Sequence, residues 1–179
     1  MINNIYLTGF MGSGKSTIGP ILANTLGWSF FDLDIVIEQK EGKKVSLIFE
    51  ENGEEYFRNL EKETLIELAG RENVIIALGG GTITNQGNID LLKKMGKIIY
   101  LKISAGLAYK RLRFKRDRPI LTRDGTVNLS KNEFIGKIEQ LISERNIYYE
   151  QADIIIDTDK LPIGATIDLI LKATEKGKL

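Results

Sequence analysis

A glycine-rich run near the start of the chain carries residue types that bind phosphate. Gly9 to Ser16 fits the pattern G-x-x-x-x-G-K-[ST], after an apolar stretch and before a predicted helix. Backbone N–H groups in such a turn converge on an anion, and the dipole of the following helix favours its charge. A merely flexible glycine turn would not explain the adjacent Lys15 and Ser16, which are suited to the β/γ-phosphates and to Mg²⁺. The residues expected to contact a nucleotide here are Gly12, Ser13, Gly14, Lys15, Ser16 and Thr17.

Two carboxylates, Asp32 and Asp34, follow the second predicted strand. The carboxyl ends of parallel strands face the ligand crevice of an α/β sheet, so both are placed to do chemistry. We expect Asp32 to support the metal through its water shell and Asp34 to contact the hydroxyl of an acceptor. The structural alternative is that Asp32 caps a helix and Asp34 is an acid in its first turn.

A basic segment lies between Lys110 and Thr126. Its basic residues are Lys110, Arg111, Arg113, Lys115, Arg116, Arg118 and Arg123, interrupted by Pro119 and Gly125. Such a run is usually a solvated surface. In a phosphate-binding protein it can also be a lid, at about residues 112–126, that closes over the phosphates and excludes water. Both interpretations stay open for most of these residues.

The elements that must position these residues alternate between strands and helices. Strands are predicted at Ile5–Thr8, Ser29–Phe31, Val74–Leu78, Ile98–Ile103 and Ile154–Asp157. Helices are predicted at Lys15–Leu26, Asp34–Lys40, Val45–Glu51, Glu54–Ala69, Asn88–Lys94, Ala105–Phe114, Lys131–Tyr149 and Ile163–Glu175. This alternation predicts an α/β fold, a three-layer sandwich with a five-stranded parallel sheet flanked by helices. We expect one domain covering residues 1–179.

The composition excludes several classes of function. The 25 Lys and Arg residues balance 24 Asp and Glu residues for a net charge of +1, which argues against a general nucleic-acid binder. The absence of cysteine and histidine leaves oxygen ligands for any metal, which suits Mg²⁺, and excludes disulfides and thiolate chemistry. With no signal-peptide pattern and no apolar run of membrane-spanning length, we expect a cytoplasmic protein without membrane association.

Further motifs follow the glycine-rich turn in a definite order. They are Asp32-x-Asp34, Ile48-Phe49-x-x-x-Gly53-Glu54-x-x-Phe57-Arg58-x-x-Glu61, Gly79-Gly80-Gly81, Arg118-Pro119-Ile120-Leu121 and Arg145-x-x-x-Tyr149-x-x-x-Ala152-Asp153. In order and approximate spacing, the chain resembles the shikimate kinase family along nearly its whole length. Each later motif is a weak signal alone. Their combination with the glycine-rich turn from Gly9 to Ser16, which is called the P-loop in this family, is specific.

The resemblance implies a P-loop kinase that transfers the γ-phosphoryl group of ATP to the 3-hydroxyl of shikimate. It implies Mg²⁺ as cofactor, ATP and shikimate as the small-molecule partners, a mobile lid and a monomeric state. Shikimate would be bound by a segment at about residues 32–61 together with later residues. In family terms, Arg58 and Arg145 bind the shikimate carboxylate, for which arginine offers a planar fork.

The resemblance also assigns the remaining site residues. Arg118 corresponds to a lid arginine at the transferring group, Arg111 to a residue stacking on adenine, Asp157–Pro162 to an adenine-side loop, and Phe49 and Phe57 to walls of the acceptor pocket. Gly79, Gly80 and Gly81 would line that pocket, because a chain without Cβ atoms can approach a ligand closely. Asp34 would orient the attacking hydroxyl and accept its proton.

Structural alternatives exist for several of these assignments. Phe49 and Phe57 could be core residues, and Arg58 could form a surface ion pair with Glu54 or Glu61, worth about 0.5 kcal/mol. The chain also departs from the family, with Ile147 and Tyr148 where Pro-Leu is common, which bears on how rigidly Arg145 is presented.

Two rival functions stay open at this point. A related kinase acting on gluconate or a nucleoside monophosphate would share the phosphate-binding turn and lid, but not the combination of Asp34, Arg58 and Arg145. A catalytically silent module that senses ATP or the acceptor would be expected to have lost Lys15, Asp34 or Arg118, and all three are present.

Overall fold

A computed structural model describes residues 4–113 and 130–176 of the chain. The strands are β1 (Asn4–Thr8), β2 (Ser29–Asp32), β3 (Val74–Ala77), β4 (Lys97–Lys102) and β5 (Ile154–Asp157). The helices are α1 (Lys15–Leu26), α2 (Leu33–Glu41), α3 (Val45–Ala69), α4 (Gln86–Met95), α5 (Ala105–Leu112), α6 (Lys131–Tyr149) and α7 (Ile163–Lys176), with a short 3-10 helix at Thr82–Thr84. All predicted elements are present, with ends displaced by a few residues. Phe114, the predicted end of α5, lies outside the described residues.

The five strands form a single parallel sheet in the order β2-β3-β1-β4-β5. Ser29 pairs with Val74, and Asn4 pairs with the same residue from the other side, so β3 lies between β1 and β2. Because every strand points the same way, Thr8, Asp32 and Ala77 reach the same edge of the sheet. This edge is where the predicted phosphate and acceptor residues follow their strands.

Helices cover both faces of the sheet, which gives the predicted three layers. Ile5 and Leu7 of β1 pack with α1 and α7, whereas the intervening Tyr6 packs on the other face with α2, α3 and α4. The alternation follows from the pleat, since successive strand side chains point to opposite faces. The predicted fold class is therefore confirmed. No helix in residues 4–113 or 130–176 has the length and apolarity to cross a membrane.

Helix α3 is interrupted at Gly53. This glycine has φ 82° and ψ 175°, a non-helical conformation that residues with a Cβ rarely adopt. The sequence predicts two helices separated here, and the structure has one helical run with a break at that position. The break allows the N-terminal half, with Phe49, and the C-terminal half, with Phe57 and Arg58, to follow different directions.

Candidate active site

The glycine-rich turn after β1 has the backbone expected of a phosphate cradle. Gly9, Gly12 and Gly14 all have positive φ angles, and Gly14 directly precedes the first residue of α1. A Cβ at Gly9 would collide with the carbonyl oxygen of Leu101, so the turn lies close against β4. No side chain caps the start of α1, which leaves its first backbone N–H groups available to an anion.

Lys15 lies back across this turn. Its Nζ donates to the carbonyl oxygens of Gly9 at 2.6 Å and Phe10 at 3.4 Å. The side chain is thus already held over the loop whose backbone would surround a phosphate. The hydroxyl of Ser13, buried in the same turn, has no hydrogen-bond partner in the described part of the chain.

Ser16 and Asp32 meet beside the glycine-rich turn of residues 9–16, the phosphate turn. The Ser16 hydroxyl donates to Asp32 Oδ2 at 3.1 Å, and the Asp32 side chain makes no capping bond to α2 although it directly precedes that helix. The helix-cap alternative for Asp32 is therefore wrong. Both groups offer hard oxygen donors, the type that Mg²⁺ prefers, and Mg²⁺ commonly takes most of its ligands from phosphates and water. In the described ranges no three His, Cys, Asp or Glu side chains cluster in a way that could hold a metal.

The glycine triplet after β3 lies against three charged side chains from three different helices. A Cβ built on Gly79 would lie 2.7 Å from Asp34 Oδ1, and one on Gly80 would lie 2.9 Å from Arg145 Nη1. A Cβ on Gly81 would lie 2.5 Å from Arg58 Nη2. These distances are too short for a real side chain, so the need for glycine comes from close approach. The triplet brings together Asp34 of α2, Arg58 of α3 and Arg145 of α6.

Arg58 is held by a buried carboxylate that the sequence did not single out as functional. Its Nη1 donates to Glu61 Oε2 at 2.9 Å, and the hydroxyl of Thr82 donates to Glu61 Oε1 at 2.6 Å. The Glu61 side chain is 2% exposed, whereas that of Glu54, the other partner of Arg58 at 3.3 Å, is 59% exposed. Arg58 does form the ion pairs of the structural alternative, but one of them is internal and fixes the guanidinium beside Gly81.

Phe49 and Phe57 form a tilted pair beneath the Arg58 guanidinium. Their ring centroids are 4.5 Å apart, and the central carbon of the guanidinium lies 5.9 Å and 5.4 Å from the two centroids. Phe57 is 3% exposed and belongs to the core, while Phe49 is partly buried against it. Core packing and proximity to the Arg58 guanidinium thus occur together for this pair.

The comparisons with known proteins agree with this arrangement. A family model described as shikimate kinase matches residues 11–175. A shikimate kinase of Chlorobium phaeobacteroides is 48% identical over 164 residues, covering 92% of this chain and 86% of its own. The chain belongs to the shikimate kinase family. As a member of that family it is an ATP-dependent kinase.

Solved shikimate kinase structures extend the match to three dimensions. The enzyme of Bacteroides thetaiotaomicron has a TM-score of 0.86 and 34% identity, covering 97% of this chain and 98% of its own. That of Acinetobacter baumannii, solved in complex with shikimate, has a TM-score of 0.87 and 36% identity, covering 100% of this chain and 96% of its own. The family that the sequence motifs suggest is therefore confirmed.

The shikimate kinase resemblance assigned Arg111, Arg118 and the Asp157–Pro162 loop to the nucleotide side. Arg111, at the end of α5, donates from Nη1 to the carbonyl oxygen of Gly12 at 2.7 Å, so it touches the phosphate turn. Arg118 lies outside the described residues, as does the predicted lid after Arg113. The Asp157–Pro162 segment begins at the last residue of β5, and its Asp159 side chain accepts a hydrogen bond from the backbone N–H of Ser104 at 2.9 Å.

Proposed function

We propose that the phosphate turn and the glycine triplet divide one reaction between them, the transfer of the γ-phosphoryl group of ATP to the 3-hydroxyl of shikimate. This step belongs to the biosynthesis of aromatic amino acids by way of chorismate. The observation that carries the proposal is the convergence of Asp34, Arg58 and Arg145 on three consecutive glycines. A carboxylate and two arginines around open backbone suit a small polyhydroxylated acid.

On the nucleotide side, we propose that residues 12–17 bind the phosphates. Lys15 would exchange its bonds to loop carbonyls for phosphate oxygens, which gives its charge a stronger partner. Mg²⁺, when bound with ATP, would neutralise phosphate charge. Ser16 would hold it directly and Asp32 through water. Arg111 would lie along the adenine, and Arg118 would approach the transferring group from the lid.

On the acceptor side, we propose that Arg58 and Arg145 hold the shikimate carboxylate. Gly79, Gly80 and Gly81 would let the ring approach the backbone, and Phe49 and Phe57 would bound it on the apolar side. With the acid anchored at one end, the 3-hydroxyl would lie near Asp34, which orients it and accepts its proton. The hydroxyl oxygen forms the new P–O bond as the bond between the γ-phosphorus and the β–γ bridging oxygen breaks. ADP leaves with the electron pair of the broken bond on that oxygen.

The first test is ADP release from Mg-ATP with shikimate, with gluconate, with AMP and with no acceptor. We expect release with shikimate well above the other three. Release with gluconate or AMP instead would keep the kinase and reassign Arg58 and Arg145. Binding of ATP without release in any of the four reactions would indicate a silent binding module and contradict the proposal.

We further propose a monomeric, single-domain, cytoplasmic enzyme with a lid at about residues 112–126 and an acceptor-binding segment at about 32–61. Light scattering after size exclusion tests the first point, with a dimer mass as the contradicting result. Limited trypsin digestion tests the lid, because the segment is rich in arginine and lysine. Cleavage between residues 113 and 125 should slow only when both substrates' binding sites are filled, for example by ADP and shikimate.

A further inference from the structure

Tyr149, the last residue of α6, has a fully buried side chain whose hydroxyl lacks a hydrogen-bond partner within residues 4–113 and 130–176. Burying a hydroxyl without a partner is unfavourable, because its bonds to water are lost and nothing replaces them. Phenylalanine would fill the same space without that loss. The presence of tyrosine therefore points to a use for the hydroxyl beyond filling the core.

The unpartnered buried polar atoms of the described chain are not scattered. They are Thr8 Oγ1, Ser13 Oγ, Arg145 Nη1 and Tyr149 Oη. The first two belong to the end of β1 and the phosphate turn, and the last two belong to one face of α6. Buried polar groups are normally satisfied, so unsatisfied ones mark places where a ligand or a rearrangement completes them. Tyr149 thus falls with Arg145 on the acceptor side of the site.

Tyr149 and Arg145 are four residues apart on α6 and so lie on the same helical face. Burial raises the pKa of Tyr149, and the positive charge of the nearby Arg145 guanidinium opposes that rise. The phenol therefore stays neutral at physiological pH, with its oxygen facing a cation. Arg145 Nη1 in turn adjoins Gly80, at the proposed carboxylate position.

The Tyr149 ring is fixed by the sheet. It stacks on Tyr100 of β4 with centroids 4.8 Å apart and an interplanar angle of 16°. Tyr100 is 1% exposed, and its strand pairs on both sides, so this support cannot easily shift. Because its ring is stacked on a residue of a central strand, Tyr149 can hold its hydroxyl in one place against a long, flexible arginine.

We propose that Tyr149 is a positioning residue for acceptor binding, whose hydroxyl, unpartnered among the described residues, accepts a hydrogen bond from the Arg145 guanidinium when the acceptor binds and so holds that group toward Gly80. This inference rests on the proposed function, since it requires Arg145 to bind the acceptor carboxylate. Arginine loses considerable rotamer freedom when its guanidinium is fixed. A hydrogen bond to the Tyr149 hydroxyl that forms in the complex offsets part of that loss.

The test is Tyr149→Phe, with the KM for shikimate, the KM for ATP and the melting temperature as readouts. We expect the shikimate KM to rise about tenfold, as for the loss of one hydrogen bond to a charged group. The ATP KM should stay within about twofold, since Arg145 is remote from the phosphate turn in the proposed reaction. The melting temperature should not fall, because the change removes a hydroxyl with no well-formed bond.

Tyr100→Phe is the matched control. It removes a hydroxyl from the other ring of the same stack, and Arg145 is not among the groups that shift the pKa of Tyr100. We expect an unchanged shikimate KM for this variant. Equal increases in both variants would show that the stack, and not the Tyr149 hydroxyl, governs binding, and would overturn the inference.

Two further outcomes separate this inference from the proposed function. A wild-type enzyme that shows no shikimate-dependent ADP release would overturn the proposed function itself. An active wild type with an unchanged shikimate KM in Tyr149→Phe would overturn only the positioning role. In an Arg145→Lys background, Tyr149→Phe should add little to the KM, because the two residues act as a unit. A full additional increase there would show that Tyr149 acts independently of Arg145.

Discussion

Arg58 has two acidic partners that differ in their surroundings. Glu61 is buried and also bound by Thr82, whereas Glu54 is largely exposed. An exposed ion pair contributes little to the free energy of folding, because water screens the charges and both side chains lose conformational freedom. A buried carboxylate has no water to compensate for a lost partner, so its geometry is far more restrictive. Glu54 and Glu61 lie four and three residues from Arg58 in sequence. Because only Glu61 is buried, we expect its loss to weaken acceptor binding more than the loss of Glu54.

Glu61→Gln should raise the shikimate KM by roughly tenfold, because the amide keeps the shape but no longer holds the Arg58 charge. The ATP KM should stay nearly constant. Glu54→Gln is the control and should change the shikimate KM by less than about twofold. Steady-state kinetics of both variants provide the check, and equal effects of the two changes would contradict the role given to burial.

Asp34→Asn should still bind ATP but turn over slowly, by roughly 10²- to 10⁴-fold, because the amide cannot accept the proton of the acceptor hydroxyl. ATP binding measured by calorimetry, alongside kcat, separates the two effects. Turnover close to that of the wild type would end the proposed role of Asp34 as the base.

At the scale of elements, the glycine triplet after β3 requires close approach rather than unusual torsion angles. Gly80→Ala would place a Cβ 2.9 Å from Arg145 Nη1, and the guanidinium must move to relieve the overlap. We expect the shikimate KM to rise at least tenfold with the fold intact, because the displaced group is the end of a flexible side chain.

Gly164→Ala in α7 provides the matched control for that change. A Cβ there meets nothing within 4 Å. Alanine also favours helix over glycine by about 1 kcal/mol. Melting temperature and kinetics should show an unchanged KM and equal or higher stability. A Gly80→Ala enzyme with wild-type KM would contradict the close contact between the triplet and Arg145.

Elements with a strong local pattern could be predicted from the sequence. The phosphate turn is set by its own glycines, and the break in α3 by Gly53, which needs no tertiary information. The meeting of Asp34 with Gly79 follows from one topological rule, since both come after parallel strands. The α/β class and the five strands were likewise predictable from the alternation of apolar runs.

The burial of Glu61 could not be predicted in the same way. It depends on how the second half of α3 packs beside the short helix at Thr82–Thr84, 21 residues away in sequence. On pattern alone, Arg58 and Glu61 look like an ordinary i, i+3 surface pair. Tyr149 belongs to a motif of the sequence, but its packing on Tyr100 could not be predicted, because that contact joins α6 to β4 across about fifty residues.

At the scale of the whole molecule, the Tyr100–Tyr149 stack joins the sheet to α6. Burial, with smaller contributions from Tyr149, Glu150 and Asp157, raises the pKa of Tyr100 from its ordinary value near 10 to about 12. Above pH 10 the unfolded chain loses this proton while the folded chain keeps it. The stabilising effect is therefore fully present below pH 10 and is lost as the pH rises toward 12.

The melting temperature of the wild type should consequently fall more steeply between pH 10 and 12 than that of Tyr100→Phe. Thermal melts at several pH values, compared as the difference between the two proteins, cancel the titration of lysines and of the other tyrosines. Parallel curves over this interval would contradict the raised pKa of Tyr100.

The glycine triplet also bears on how the enzyme could escape inhibition. A competitor lying against Gly79, Gly80 and Gly81 would contact main-chain atoms, which a point mutation changes only by adding a side chain. Any such side chain would press on Asp34, Arg145 or Arg58 and disturb the natural acceptor as well. A substitution that confers resistance at this surface should thus also weaken the binding of the natural acceptor.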